Sequence, residues 1–285
     1  MPELPEVETV RRTLENRVSG QRIVSLRITD FPGVLGGWTE EAARQRIEGR
    51  TITGIRRRGK YLLFDLDDGT SISAHLRMTG RFSVVDPSHP LLRHERLALL
   101  LGNGQELRFS DQRKFGRVAP MHQAELDELE ERLGPEPLGD VFTVDYLRDR
   151  LRRRPGKIKA VLLDQKLVAG LGNIYVDEAL FLSSIHPLRA ANSLADAEID
   201  SLHEHIRQVL MAAIAKKGTT FSTFEDVEGQ PGNYAVALKV YGGGNKRNCP
   251  VCGTRLERIV VGGRGTSYCP TCQPFAPGAV STPDN

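Results

Sequence analysis

The stretch Leu133-Gly-Pro-Glu-Pro-Leu-Gly-Asp-Val-Phe142 packs two prolines and two glycines into ten residues. The periodicity of the chain differs on its two sides. Before it, RIVSLRI (22–28), TITGIRRRG (51–59), KYLLFDLDDGTSISAHL (60–76), ERLALLLGNGQELRFSD (95–111) and RVAPM (117–121) are short apolar or alternating runs. Asp68-Gly69 and Asn103-Gly104 supply hairpin turns between them. That pattern predicts an antiparallel β-sandwich, flanked by an N-terminal helix over VETVRRTLENRV (7–18), where Val7, Val10, Leu14 and Val18 recur at helical spacing. After it, TVDYLRDRLRRR, KIKAVLLDQ, GNIYVDEALFLSSI and LADAEIDSLHEHIRQVLMAAIAKKG (194–218) each read as a helix. The last is expected to start from Ser193 as its cap, with Asp196 and Glu198 in its early turns.

The fold class is therefore α+β. The expected division is a sandwich domain over 1–134, a linker over 135–145 and a helical domain over 146–235. A small cysteine-bearing module over 236–275 and a disordered tail over 276–285 complete it. Residues 219–235, TTFSTFEDVEGQPGNYA, hold no period and form a long loop, a feature more often functional than idle.

With 39% hydrophobic and 26% charged residues in 285, the composition is that of an ordinary globular protein. No run approaches the length of a membrane span, and the first thirty residues lack the apolar core of a signal peptide, so a cytoplasmic protein is expected. The net charge of +3 is too small to name a partner, but its distribution is informative. Between Pro231 and Phe275 stand Lys239, Lys246, Arg247, Arg255, Arg258 and Arg264 against Glu257 alone. Further clusters lie at Arg56-Arg57-Arg58-Gly-Lys60 and over RDRLRRRPGKIK (148–159). Separated basic clusters fit a polyanion touched by several segments, or simply solvated surface.

All four cysteines fall in one place, Cys249-Pro-Val-Cys252 and Cys269-Pro-Thr-Cys272, with sixteen residues between the pairs. Two disulfides would suit an oxidising compartment. Without a secretory signal the spacing predicts one tetrahedral zinc on four thiolates. Such a site has no open coordination position, so the metal is structural. The intervening GTRLERIVVGGRGTSY reads as two strands around Gly-Gly-Arg-Gly, with Arg264 at the tip, where a guanidinium suits a phosphate.

The chain opens MPELPEVE, and from the residues alone this is either an acidic first helical turn or a terminus that acts as a reagent. MPELPEVETV (1–10), LVAGLGNIYVDEALF (167–181) and GRGTSYCPTCQ (263–273) together, in this order, resemble the bacterial formamidopyrimidine-DNA glycosylase family over essentially the whole chain. The resemblance implies a bifunctional DNA glycosylase and abasic-site lyase, acting on oxidised purines in double-stranded DNA as a monomer without a nucleotide cofactor. The endonuclease VIII branch, which prefers oxidised pyrimidines, typically begins Pro-Glu-Gly-Pro-Glu where this chain has Pro-Glu-Leu-Pro-Glu.

The same resemblance implies that Met1 is removed and that Pro2 is the nucleophile, with Glu3 as general acid/base and Glu6 supporting them. Lys60 and Arg264, counted with Pro2 and Glu3 in the implied catalytic set, match family phosphate contacts near the lesion. Asn173, His75, Lys159 (with Lys157 competing) and Tyr241 are expected at DNA, and Gly170 and Gly172 shape a helix-two-turn-helix. Met78, Arg113 and Phe115 match the trio that fills the hole left by a flipped nucleotide, and the loop 219–235 matches the lesion-recognition loop. Thr79 stands where some relatives have a glutamate, which leaves its contact with the base open. A zinc-finger DNA-binding module without chemistry would need only Asn173, Arg264 and the cysteines, whereas this chain also has Pro2, Glu3 and Lys60.

Overall fold

The computed structural model describes residues 1–220 and 224–275; the expected tail and positions 221–223 of the loop lie outside the described residues. The chain divides into two compact units, one of residues 1–131 and 213–235, the other of 132–212 and 236–285.

The first unit begins with helix α1 (Leu4–Val18), followed by β1 (Ile23–Ile28), α2 (Glu40–Ile47), β2 (Ile52–Arg58), β3 (Tyr61–Leu66), β4 (Ser71–His75), β5 (Gly80–Val85), β6 (Glu95–Leu101), β7 (Glu106–Asp111), β8 (Arg117–Met121) and α3 (Gln123–Arg132). The strands form two antiparallel four-stranded sheets, ordered β1-β6-β7-β5 and β2-β3-β4-β8. One core joins them. Leu97, Leu99, Leu107 and Phe109 of the first sheet meet Leu62, Phe64, Ile72 and Val118 of the second, and Val7, Val10, Leu14 and Val18 of α1 pack into the same cluster. Gly69 and Gly104, at φ of 79° and 82°, make the two turns expected at Asp-Gly and Asn-Gly. Val227 and Phe224 also pack on this core, so residues 219 and 220 and 224–235 belong with the sandwich rather than with the helices.

Three elements of this unit were not expected. In α2 only Ala43 and Ile47 are buried, and in α3 only Leu129, too few to print an apolar stripe on the sequence. The strand β5 reads GRFSVV and buries only Gly80 and Phe82.

The second unit holds α4 (Val144–Arg152), α5 (Ile158–Leu162), α6 (Asn173–Leu182), most of α7 (Asp196–Ala215), and a hairpin of β9 (Glu257–Val261) and β10 (Arg264–Tyr268). Thr143 caps α4 by accepting from the N–H of Tyr146. Ser193 does not cap α7; its hydroxyl donates to the carbonyl of Ala190, and the Glu198 carboxylate accepts the N–H of Ala195 at 2.8 Å instead. The expected linker is packed, not loose. Gly134 donates to the carbonyl of Gln165, the side chain of Arg207 donates to that of Pro137, and Phe142 is buried. A Cβ at Gly134 would come within 2.6 Å of the Leu167 backbone, so this glycine is required by close approach. The module of 236–275 closes on α6 through Phe181, Val240, Leu256, Cys249 and Cys269. No helix among the described residues is long and apolar enough to cross a membrane.

Candidate active site and nucleic-acid interface

Pro2 and Glu3 are buried at the start of α1, preceded by the half-exposed Met1. Glu3 is the N-cap of the helix. Its side chain accepts the N–H of Glu6, and the Glu6 carboxylate accepts the N–H of Glu3 at 2.9 Å, a reciprocal capping box. The other Glu6 oxygen accepts the N–H of Thr219 at 2.7 Å. Both oxygens of this buried carboxylate therefore hold backbone, one beside Pro2 and one in the segment 213–235. Gly218 lies against it with φ of 80°, and a Cβ there would sit 2.8 Å from the carboxylate oxygen. A bare acidic first turn would leave Glu6 in solvent; here it is 2% exposed.

Lys60 follows Gly59 in the turn from β2 to β3 and is buried. Arg57 donates to the carbonyl of Gly59 at 3.0 Å and to Glu8 of α1 at 3.2 Å, which ties this turn to the helix that carries Pro2. His75, expected among the phosphate contacts, lies at the end of β4. Burial first, then the charges of Arg77 and Lys60, push its pKa down to about 3, so the ring is neutral. Its Nδ1 accepts the N–H of Arg77 at 3.0 Å, which leaves the proton on Nε2.

Met78, Arg113 and Phe115, the expected void-filling trio, come together on two loops. Met78 lies between β4 and β5, and Arg113 and Phe115 lie between β7 and β8. The Arg113 guanidinium is 2.7 Å from the Met78 sulfur and 5.0 Å from the centre of the Phe115 ring. Met78 and Phe115 are 43% and 52% exposed, a large apolar pair left in water. Asp111 holds the loops together. One of its oxygens accepts from the Thr79 hydroxyl and from the N–H of Arg113, the other from the N–H of Gly116 at 2.7 Å. Thr79 thus spends its proton on Asp111.

In the second unit, Asn173 is the first residue of α6 and its side-chain amide donates to the carbonyl of Gly265 at 2.9 Å. Gly262 and Gly263, at φ of 55° and 71°, turn β9 into β10 and present Arg264 exposed at the tip. Lys159, expected at DNA, is fully buried. Its ammonium lies 2.6 Å from Asp177, 2.7 Å from the Thr266 hydroxyl and 3.2 Å from the carbonyl of Gly265. Lys157, the competing assignment, is half-buried at the N-cap of α5.

Asp177 also accepts the N–H of Ser267, and burial pushes its carboxyl up to about 7 against the pull of Lys159. The adjacent Glu178 accepts the N–H groups of Lys239, Val240 and Tyr241 at 2.7–2.9 Å. Two consecutive acids of α6 therefore clamp the two sides of the module behind Arg264. Neither was singled out from the sequence. The available signal was an Asp-Glu pair inside the otherwise apolar NIYVDEALFL, because buried acids come with partners. Tyr241 lines a groove with Asn173, Gly244, Lys246, Arg258 and Gly265.

The four cysteine sulfurs all lie within 4.8 Å of one another, with Cys249 to Cys272 at 3.8 Å and Cys252 to Cys269 at 3.5 Å. A disulfide requires about 2.05 Å. Four sulfurs at about 2.3 Å from one zinc would be about 3.8 Å apart, so the donor set fits zinc and not disulfides.

Residues 1–118 match the formamidopyrimidine-DNA glycosylase N-terminal domain, 133–225 the helix-two-turn-helix domain of the same enzymes, and 248–274 the zinc finger found in them and in isoleucyl-tRNA synthetases. The chain belongs to the formamidopyrimidine-DNA glycosylase family. A glycosylase of this family from Herpetosiphon aurantiacus is 48% identical over 273 residues, covering 96% of this chain and 100% of that one. Two solved relatives, a Lactococcus lactis mutant in complex with Fapy-dG-containing DNA and a MutM in complex with DNA containing carbocyclic 8-oxo-G, superpose with TM-scores of 0.90 and 0.89. Both are 39% identical and cover 96% of this chain and 100% of their own. The domain with the zinc-finger description contains all four cysteines, and one structural zinc is its cofactor.

Proposed function

We propose that this glycosylase excises oxidised purines, 8-oxoguanine and formamidopyrimidines, from double-stranded DNA and then cuts the strand at the abasic site. The observation that carries this reading is the buried Pro2–Glu3 terminus, where Glu6 accepts the N–H of Glu3 on one carboxylate oxygen and that of Thr219 on the other. With Met1 removed, Pro2 has a secondary amine; α-amino groups titrate near 8 in model peptides, so a neutral fraction is present at working pH. Its nitrogen attacks C1′, the glycosidic bond breaks, and the base leaves with a proton. The iminium that results acidifies C2′. Loss of that proton expels the 3′ phosphate, and a second elimination expels the 5′ phosphate. Glu3 protonates the ring oxygen as the sugar opens and serves as the base in later proton transfers.

Each unit offers its own DNA contacts. In the first, Lys60 takes a phosphate beside the lesion, Met78 and Phe115 enter the emptied stack, and Arg113 hydrogen-bonds the orphaned base. In the second, Arg264 and Asn173 grip the backbone, with Tyr241 beside them. Lys159 and His75 act from behind, by fixing the hairpin and the turn after β4. The zinc supplies no chemistry; it holds the finger that carries Arg264. The protein acts as a monomer in the bacterial cytoplasm, where cysteines stay reduced and available to bind zinc. Relatives solved with Fapy-dG and 8-oxo-G DNA support the purine reading.

Borohydride trapping on a duplex with one 8-oxoguanine opposite cytosine, beside a matched oxidised-pyrimidine duplex, tests the proposal. Faster adduct formation on the purine duplex is expected. Faster trapping on the pyrimidine moves the protein to the sister branch, and none on either refutes the chemistry.

A further inference from the structure

The chain has four methionines, Met1, Met78, Met121 and Met211. Met121 is half-buried at the end of β8, whereas Met78 and Met211 are exposed. Among the described residues only Met78 has a cation at its sulfur, the Arg113 Nη1 at 2.7 Å. A thioether is a weak acceptor, so the guanidinium is poorly matched by the atom it faces.

The backbone holds the two side chains together. Arg77, just before Met78, and Lys114, just after Arg113, have left-handed backbones at φ of 55° and 60°, which residues with a Cβ rarely adopt. The N–H of Arg113 is held by the Thr79 hydroxyl at 3.2 Å and by Asp111 at 3.1 Å. The Gly80 N–H donates to the carbonyl of Leu76 at 2.9 Å, which closes the turn around Met78. The guanidinium meets the Met78 sulfur and the Phe115 ring, and among the described residues it has no carboxylate partner. Its remaining donors are open to a better acceptor.

We propose that Met78 is a site of reversible oxidation by hydrogen peroxide, and that its sulfoxide, captured by Arg113, switches base excision off. The inference rests on the proposed function, in which Met78 enters the emptied stack and Arg113 meets the orphaned base. A sulfur lone pair attacks one peroxide oxygen and the O–O bond breaks. The proton on the transferred oxygen passes to the departing hydroxide, leaving water and the sulfoxide. Sulfur gives up two electrons and the peroxide takes them. The product is a polar oxide on a side chain that must pack against bases. Its oxygen beside a guanidinium makes a charge-assisted hydrogen bond, stronger than the thioether contact it replaces. Entering the stack would strip the sulfoxide of both water and Arg113. The pair therefore stays outside the duplex, and two of the three void-filling side chains are withdrawn at once. Pro2, Glu3 and the cysteines take no part in the change.

The test exposes the full-length, zinc-loaded protein to graded hydrogen peroxide and removes the excess with catalase. Peptide mass spectrometry then counts the added oxygen at Met78, Met121 and Met211, metal analysis follows the zinc, and borohydride trapping on an 8-oxoguanine duplex reads activity. Once most of Met78 is oxidised, trapping is expected to be about tenfold slower or more, with zinc still bound. A pair of methionine sulfoxide reductases, one for each sulfoxide epimer, is expected to restore it. Every variant is compared with its own untreated rate. Met78→Leu is expected to resist peroxide, and Met211→Leu to lose as much as the parent. Arg113→Ala is expected to lose a smaller factor on oxidation; an equal factor would overturn the capture. The site is overturned if Met78 stays unmodified where Met211 is oxidised, or if oxidised Met78 leaves trapping unchanged. A loss that follows zinc release, or that the reductases do not reverse, overturns it equally. The untreated parent separates the two failures: no adduct there sinks the proposed function, whereas an adduct indifferent to Met78 oxidation sinks only this inference.

Discussion

Glu6 accepts the backbone N–H of Thr219 at 2.7 Å on one carboxylate oxygen and that of Glu3 at 2.9 Å on the other. Two segments more than two hundred residues apart in sequence thus meet on one side chain beside Pro2. Glu6→Gln keeps one acceptor and points an amide at the other N–H. An unsatisfied buried donor costs about 1–3 kcal/mol, so melting falls modestly. Trapping on an abasic duplex, measured with folded, saturating enzyme, is expected to slow at least tenfold; an unchanged rate would mean that Glu6 is only a helix cap.

Lys159 and Asp177 form a fully buried pair behind the hairpin that presents Arg264. Removing one partner strands the other charge, so Lys159→Met and Asp177→Leu are each expected to cost about 3–5 kcal/mol in urea unfolding. The double variant should cost clearly less than the two singles added together. Strict additivity would show that the pair is not coupled.

Asp111 and Phe115 act on the same loops in different ways. Asp111→Ala frees two backbone N–H groups and the Thr79 hydroxyl, and is expected to lower both melting temperature and trapping on the 8-oxoguanine duplex. Phe115→Ala trims an exposed ring, so stability should stay within about 0.5 kcal/mol while trapping falls. Equal loss of stability in both would contradict a DNA-facing role for Phe115.

The acidic cluster at the N-terminus and the cysteine module were legible because each is local in sequence. Pro2, Glu3 and Glu6 lie within one helical turn, and each cysteine pair is a four-residue motif. The buried setting of Lys159 was silent for the converse reason. It was placed at DNA by resemblance, and its acid, Asp177, lies across a helix boundary that sequence spacing does not close. Asp111 was likewise silent, since its partners Thr79 and Gly116 come from two separate loops. The sandwich was readable from alternating strands, but α2 and α3, with one or two buried side chains each, left no stripe to read.

His75 gives the pH dependence. Its folded pKa, about 3, lies below the ordinary value of 6.5, so between these values the unfolded chain binds the extra proton. Its contribution to stability is complete above about 6.5 and is lost as pH falls toward 3. His75→Asn keeps an acceptor for the Arg77 N–H without titrating, and is expected to flatten urea-unfolding stability between pH 7 and pH 5. The same slope in parent and variant would show that His75 is not the buried neutral group described.

The central claim is tested most directly by locating the covalent bond. After borohydride trapping on an 8-oxoguanine duplex, nuclease and protease digestion followed by peptide mass spectrometry should find the sugar remnant on the N-terminal peptide beginning at Pro2, with Met1 absent. An adduct on Lys60 or any other lysine, with Pro2 unmodified, would contradict the account.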